Sequence, residues 1–332
     1  MYRYQFEKGS KKHTCPSCQH RRTFRRVVDV ETGQYLADNV GRCDRENSCG
    51  YSYMAKDYFR DNGGNGPLDI KPICEHIPPR PFDYHDPKWL DKLQLVKPEL
   101  WNSGATDRLY LFLISLYERK VVDRVFADYN IGYWQSQYRK RYTMLPYISI
   151  EGKFARGKLI QFDAATGKRS KERFGTSSLR YEIGLDKNWN YDTRVFFGEH
   201  LIDGTKPIGI VESEKTALIC AITHPEYHWI ATGTKSSLNY EKIKRVADAG
   251  KSGDNPPVIF LFPDGDGYDK WLEIAASCAR CKLSVGVSDI IKRVATAEQQ
   301  AAGIDIADLL IEQQRHRLED QAERQAIMQE AA

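Results

Sequence analysis

No stretch of this 332-residue chain approaches the ~18 consecutive apolar residues that span a membrane. Its first residues, Met-Tyr-Arg-Tyr-Gln-Phe-Glu-Lys, hold no apolar core of a secretion signal, so the expected compartment is the cytoplasm and no membrane partner is expected. No G-x-x-x-x-G-K-S/T phosphate loop and no helicase motif occur, so no nucleotide-driven motor is encoded. Charge of one sign is also scarce, the net being only +4. Eight cysteines in a reducing compartment are poor disulfide candidates, which turns attention to metal. The rest is ordinary for a soluble globular protein: 41% hydrophobic, 28% charged, and long enough for two or three domains.

The small net charge hides an uneven distribution. Residues 1–60 carry 12 Lys/Arg against 7 Asp/Glu, and Arg139–Tyr181 carries 11 against 3. Two basic surfaces on a nearly neutral chain fit a phosphate backbone, the alternative being two solvated faces. Sequence texture predicts a cysteine-bearing segment over 1–60, a Gly/Asn/Pro-rich linker over 61–82, a basic α/β subdomain over 83–204, a mainly parallel α/β domain over 205–312 and a helical tail over 313–332. One helical pattern is expected near Arg108–Tyr129, with strands at Met144–Ile150 and Lys158–Phe162. From Pro207 short apolar strands alternate with helices: Ile208–Val211, Glu214–Thr223, Trp229–Ala231, Tyr240–Ala249, Val258–Phe262, Lys270–Cys281 and Leu283–Val287. That rhythm implies a parallel sheet covered on both faces.

Cys15-Pro-Ser-Cys18 and Cys43-Asp-Arg-Glu-Asn-Ser-Cys49 flank a strand-turn-strand stretch, Arg22–Val30, Glu31–Gly33 and Gln34–Val40. Two cysteine knuckles on a hairpin supply the four soft ligands of a structural Zn²⁺, and so short a hairpin needs the metal to fold. His13 and His20 are expected to face solvent or nucleic acid. Arg21, Arg22, Arg25 and Arg26, with Phe24 among them, suit phosphate contact and base stacking on a single strand, with Arg22 and Phe24 sharing a face. Cys278 and Cys281 fall in a helix and read as packing residues, and Cys74 and Cys220 have no sequence partner.

Glu212 follows the strand Ile208–Val211, and Asp264 and Asp266 follow the strand Val258–Phe262. In a parallel sheet such strand ends open on one edge, so carboxylates distant in sequence converge there and call for Mg²⁺ or Mn²⁺. VESEKTAL…FPDGDGYDKW, with Asp305-Ile-Ala-Asp308, resembles the TOPRIM domain of primases, topoisomerases and some nucleases. The order of zinc ribbon, basic subdomain and TOPRIM, with Phe126–Tyr133, Thr166–Lys171, Val195–His200 and Ala231–Thr234, is similar to the bacterial and phage primase core. GRCDRENSCGY, GKRSKE, FGEHL and VESEKTA resemble zinc-ribbon TOPRIM proteins of bacterial mobile elements.

The resemblance implies a nucleotidyltransferase making primers on single-stranded DNA. Glu212, Asp264 and Asp266 would be catalytic, holding Mg²⁺ or Mn²⁺ for nucleoside triphosphates, beside a structural Zn²⁺. Arg156, Lys158, Lys168, Arg169, Lys171, Arg173 and Lys215 would join Arg22, Phe24 and Arg25 in gripping strand and triphosphate, with a separate helicase or mobilisation protein as partner. Ser213 and Thr216 depart from the usual E-G-x-x-D. A non-catalytic replication or mobilisation factor and a TOPRIM nuclease are the alternatives.

Overall fold

The structure, a computed structural model, describes residues 3–9, 11–45, 49–62, 80–92, 107–136, 140–172, 174–185, 188–234, 237–251 and 255–330. Most of the expected linker, with Cys74 and Arg173, lies outside the described residues. The chain falls into two compact units, Met1–Arg80 and Pro81–Ala332.

The first unit is an antiparallel sheet of β1 (Tyr4–Phe6), β2 (Phe24–Asp29), β3 (Gly41–Cys43) and β4 (Ser52–Tyr53) in that order, followed by α1 (Ala55–Asp61). Two expectations need correction. The strand begins at Phe24, so Arg22 is not on it; Arg22 sits in the preceding turn with a φ of 57°. The strand that returns to β2 is Gly41–Cys43, and Gln34–Val40 instead loops back with a bridge from Tyr35 to Val28 and the Val40 carbonyl accepting from the Val27 N–H.

In the second unit α2 (Lys88–Lys92) precedes α3 (Arg108–Ile114) and α4 (Arg119–Asp128). The single helical pattern divides in two because Ser115 caps the first helix, and Glu118 opens the second from an extended backbone. An antiparallel sheet follows, of β5 (Gly132–Gln135), β6 (Arg141–Ile148), β7 (Phe154–Ile160) and β8 (Thr176–Ser178) in chain order, with α5 (Leu179–Glu182) directly after its last strand. Strand β6 is buried from Tyr142 to Ile148, which accounts for its mostly apolar sequence.

The remainder alternates β9 (Ile208–Val211), α6 (Glu214–Thr223), β10 (His228–Ala231), α7 (Tyr240–Ala249), β11 (Ile259–Leu261), α8 (Tyr268–Arg280) and β12 (Gly286–Val287). All pairings are parallel and the order is β10-β9-β11-β12. Alternation decides which core each side chain enters. Ile208, Ile210, Ile230, Ile259 and Leu261 pack with Ile243 and Val246 of α7 and Trp271 of α8. Val211, Trp229 and Ala231 face the other way, onto α6 and into a core shared with α3, α4 and β6. Gly209 is needed there, since a Cβ would overlap the Trp229 ring. Then come α9 (Ile290–Val294), α10 (Ala297–Ala301) and α11 (Ile306–Glu330), a 25-residue helix that runs unbroken into the expected tail. No helix among the described residues is long and apolar enough to cross a membrane.

Candidate metal centre and nucleotide site

The first unit gathers Cys15, Cys18, Cys43 and Cys49, whose sulfur atoms all lie within 4.8 Å of one another. Cys15 Sγ stands 3.8 Å from Cys49 Sγ, and Cys18 Sγ stands 4.0 Å from Cys43 Sγ. A tetrahedron with zinc–sulfur bonds of about 2.3 Å has edges of about 3.8 Å, so the cage has the size of a Zn²⁺ site. The backbone N–H of His20 holds the Cys18 thiol below its ordinary value, while burial pushes the Cys15 thiol up. Among the described residues, the apolar cluster at the cage consists of Phe24 and the ligands, with Tyr51 at its edge, a small core for a fold to hold without metal.

That small core overturns one expectation. Phe24 is fully buried against Cys15 and Cys43 and offers no face to a base. Its neighbour Arg25 is exposed. His13 bonds Glu7 at 2.8 Å and packs edge-on against Tyr35, so it is an internal contact, while His20 is exposed with its ring on the Cys18 carbonyl. Cys220 and Cys278 are buried packing residues, and Cys281 is exposed at the end of α8.

In the second unit the chain passes from β9 through α6 to β10 on one side, then recrosses to place β11 on the other side of β9. Glu212 and Asp264 therefore follow neighbouring strands at the point where the winding reverses, the crevice in which open α/β sheets take ligands. Glu212 and Asp264 are half-buried and Asp266 is exposed. Among the described residues, the four thiols form the one set of three or more ligand atoms all within 4.8 Å, so Glu212, Asp264 and Asp266 are not gathered to that distance.

Close in sequence to Glu212 lies a further acid of the same motif, to which sequence reasoning assigns no role of its own. Glu214, the first residue of α6, is 1% exposed. Its Oε1 accepts from the Tyr147 hydroxyl and, at 2.7 Å, from Lys158 Nζ, which also lies 3.0 Å from Oε2 and 3.2 Å from the Gly233 carbonyl. Lys158 is thus engaged by protein, rather than presented whole to a phosphate. Arg156, two residues before it on β7, lays its guanidinium 3.8 Å from the Tyr147 ring centroid. Burial beside Glu214 holds the Tyr147 hydroxyl far above its ordinary value, so it stays a donor. Gly233 has a φ of 77°, and a Cβ there would strike the Tyr147 hydroxyl.

Around the same helix start, Ser213 caps α6 by accepting from the Thr216 N–H at 3.2 Å. Thr216 donates to Asp305 Oδ2 at 2.6 Å, and Asp305 and Asp308 cap each other's backbone at the start of α11. Burial, with Asp308 adding like charge, raises the Asp305 carboxyl above its ordinary value, and Lys215 counters this. The D-x-x-D opening a helix was the signal for this group. Lys168, Arg169 and Lys171 are exposed on the loop after β7, where Asp163 accepts from Thr166 to shape the turn.

Against known proteins, residues 2–64 match a family described as a zinc beta-ribbon finger, and residues 107–264 match a domain of unknown function, DUF6371. The chain carries an N-terminal zinc ribbon. No curated protein matches. Among solved structures, the primase fragment of the bacteriophage T7 primase-helicase protein is 14% identical over 86% of this chain and 90% of its own, with a TM-score of 0.37. The Escherichia coli primase catalytic core is 13% identical over 65% of this chain and 76% of its own, at 0.40. The DnaG primase catalytic domain bound to ssDNA is 12% identical over 68% and 80%, at 0.40.

Proposed function

We propose that this chain is a primase-like nucleotidyltransferase that makes short oligomers on single-stranded DNA from nucleoside triphosphates. One observation supports the reading: Glu212 and Asp264 follow neighbouring strands where the winding reverses, with Asp266 two residues on, and Lys158 and Tyr147 of the basic sheet reach Glu214 at the start of the helix after the first of those strands. Hard oxygen donors at an open edge suit Mg²⁺ or Mn²⁺. Mg²⁺ keeps several waters and takes one or two carboxylates with substrate phosphates, so the donors need not crowd as thiols do around zinc. When bound, the ion supplies charge neutralisation at the phosphoryl group. The protein's part is positioning. Glu214 fixes Lys158, Tyr147 carries Arg156 on its ring, and the loop of Lys168, Arg169 and Lys171 draws in the strand. A separate helicase or mobilisation protein would open the template, since this chain has no motor motif.

The engagement of Lys158 by Glu214 favours a second reading, a non-catalytic nucleic-acid-binding factor. Incubation with single-stranded DNA, labelled ribonucleoside triphosphates and Mg²⁺ separates them. Labelled oligomers that disappear in Asp264→Asn support synthesis. Cut template supports a nuclease, and retention of DNA with neither product leaves the binding factor.

A further inference from the structure

Two cavities open beside β8, the outer strand of the antiparallel sheet. The inner one, about 590 Å³, is lined by His85, Arg156, Lys158, Arg180 and Trp189; the outer one, about 800 Å³, by Lys140, Tyr142, Phe174 and hydroxyls of Thr176 and Ser177. Ser178 and Tyr181 line both, so the two form one trough along the strand. Among the described residues, Phe174 and Tyr181 are the two large aromatic side chains that stand exposed, at 62% and 74%, and both border this trough. An aromatic ring left in water costs free energy unless something covers it, and two beside one groove mark a binding surface.

The charges say what covers it. Arg180 lines the inner end beside Arg156 and Lys158, which Tyr147 and Glu214 hold, Lys140 sits 5.0 Å from the Phe174 ring centroid, and Glu182 is the acidic member, accepting from Ser177. Cations interleaved with exposed aromatic faces fit a phosphate backbone whose bases are unstacked, which a duplex does not offer. His85 stacks on Trp189 with ring centroids 5.3 Å apart, and both rings line the inner cavity.

We propose that a single strand runs along β8, with unpaired bases stacked on Tyr181 and Phe174 and one base seated in the inner cavity. This deepens the reading above by naming the surface that takes the template, and it rests on that reading for the strand's role. The test is binding alone, without metal or nucleoside triphosphate, so a failure of synthesis does not bear on it. Anisotropy of a fluorescein-labelled oligothymidylate should show Tyr181→Ala and Phe174→Ala each binding about 5- to 150-fold more weakly, the range for one lost base stack. Tyr181→Phe should bind like the parent and Tyr181→Leu like the alanine variant, because the ring and not the bulk is at work. The dependence on salt should keep its slope, and affinity for a duplex should not change. Parent-like strand binding by both alanine variants, an equal loss for strand and duplex, or a Tyr181→Phe as weak as Tyr181→Ala would overturn the proposal.

Discussion

Replacing Lys158 by Met tests the contact that joins the basic sheet to the acidic edge. The Glu214 side chain is 2% exposed and that of Lys158 23%, with nitrogen–oxygen distances of 2.7 and 3.0 Å. Removing one partner of a buried pair costs about 3–5 kcal/mol because the other charge is stranded, and the partial exposure of Lys158 places this case near 3 kcal/mol. That is more than a hundredfold in the folded-to-unfolded ratio. Glu214→Gln keeps an acceptor for Tyr147 and leaves the more accessible partner behind, so about 1–2 kcal/mol is expected. The double variant strands nothing and should lose about 1 kcal/mol, well short of the sum. Urea unfolding followed by tryptophan fluorescence is the assay, since all six tryptophans lie between residues 89 and 271 and report on the second unit. If the double variant loses as much as the two single ones together, the pair is not coupled and the argument fails.

Protein purified without chelator should hold one Zn²⁺ per chain by elemental analysis, and Cys43→Ser should lose it; zinc unchanged in that variant would exclude the four-thiol cage. Replacing Lys168, Arg169 and Lys171 together should flatten the salt dependence of single-strand binding by about 2 in log–log slope, at ~0.7 per lost contact. An unchanged slope would make them a solvated loop. Burial pushes His85 down to about 4, so the fold keeps it neutral. Its contribution is complete above the ordinary value of 6.5 and is lost as pH falls towards about 4, up to about 3 kcal/mol. Asp107, pushed up to about 6 by burial, works oppositely: its contribution is present at low pH and lost as pH rises from 3.8 through 6. Urea titrations from pH 4 to 7 should therefore show a smaller acid loss in His85→Phe than in the parent, and equal losses would refute the assignment.

Helices α6 and α7 are legible to the residue, and Ser213 and Asn239 cap them. The parallel sheet was likewise readable, since strand rhythm is a local signal. What escaped was set by distant contacts. Phe24 reads as an exposed aromatic among arginines, yet it walls the thiol cage, packed against Cys15 and Cys43. Glu214 reads as one more acid at a helix start, and its partners lie 56 and 67 residues away. The loop after β7 was read for its cations, and Phe174 and Tyr181, spaced among the same arginines, went unnoticed as the exposed aromatic pair.

The core shared by the two sheets bears on how such a protein is inherited. The Tyr129 hydroxyl reaches across from the end of α4 to the Trp229 carbonyl at 2.6 Å, and Leu218, Ile219, Ile222 and Trp229 are buried in one cluster with Leu109, Phe112, Val125 and Phe126. Cutting the chain ahead of β9 would return several of these side chains to water, at about 1.5–3 kcal/mol each, a toll comparable with the ~5–15 kcal/mol that holds a typical domain together. Recombination between relatives should therefore spare this junction, and the basic sheet and the acidic sheet should be acquired, transplanted or lost together.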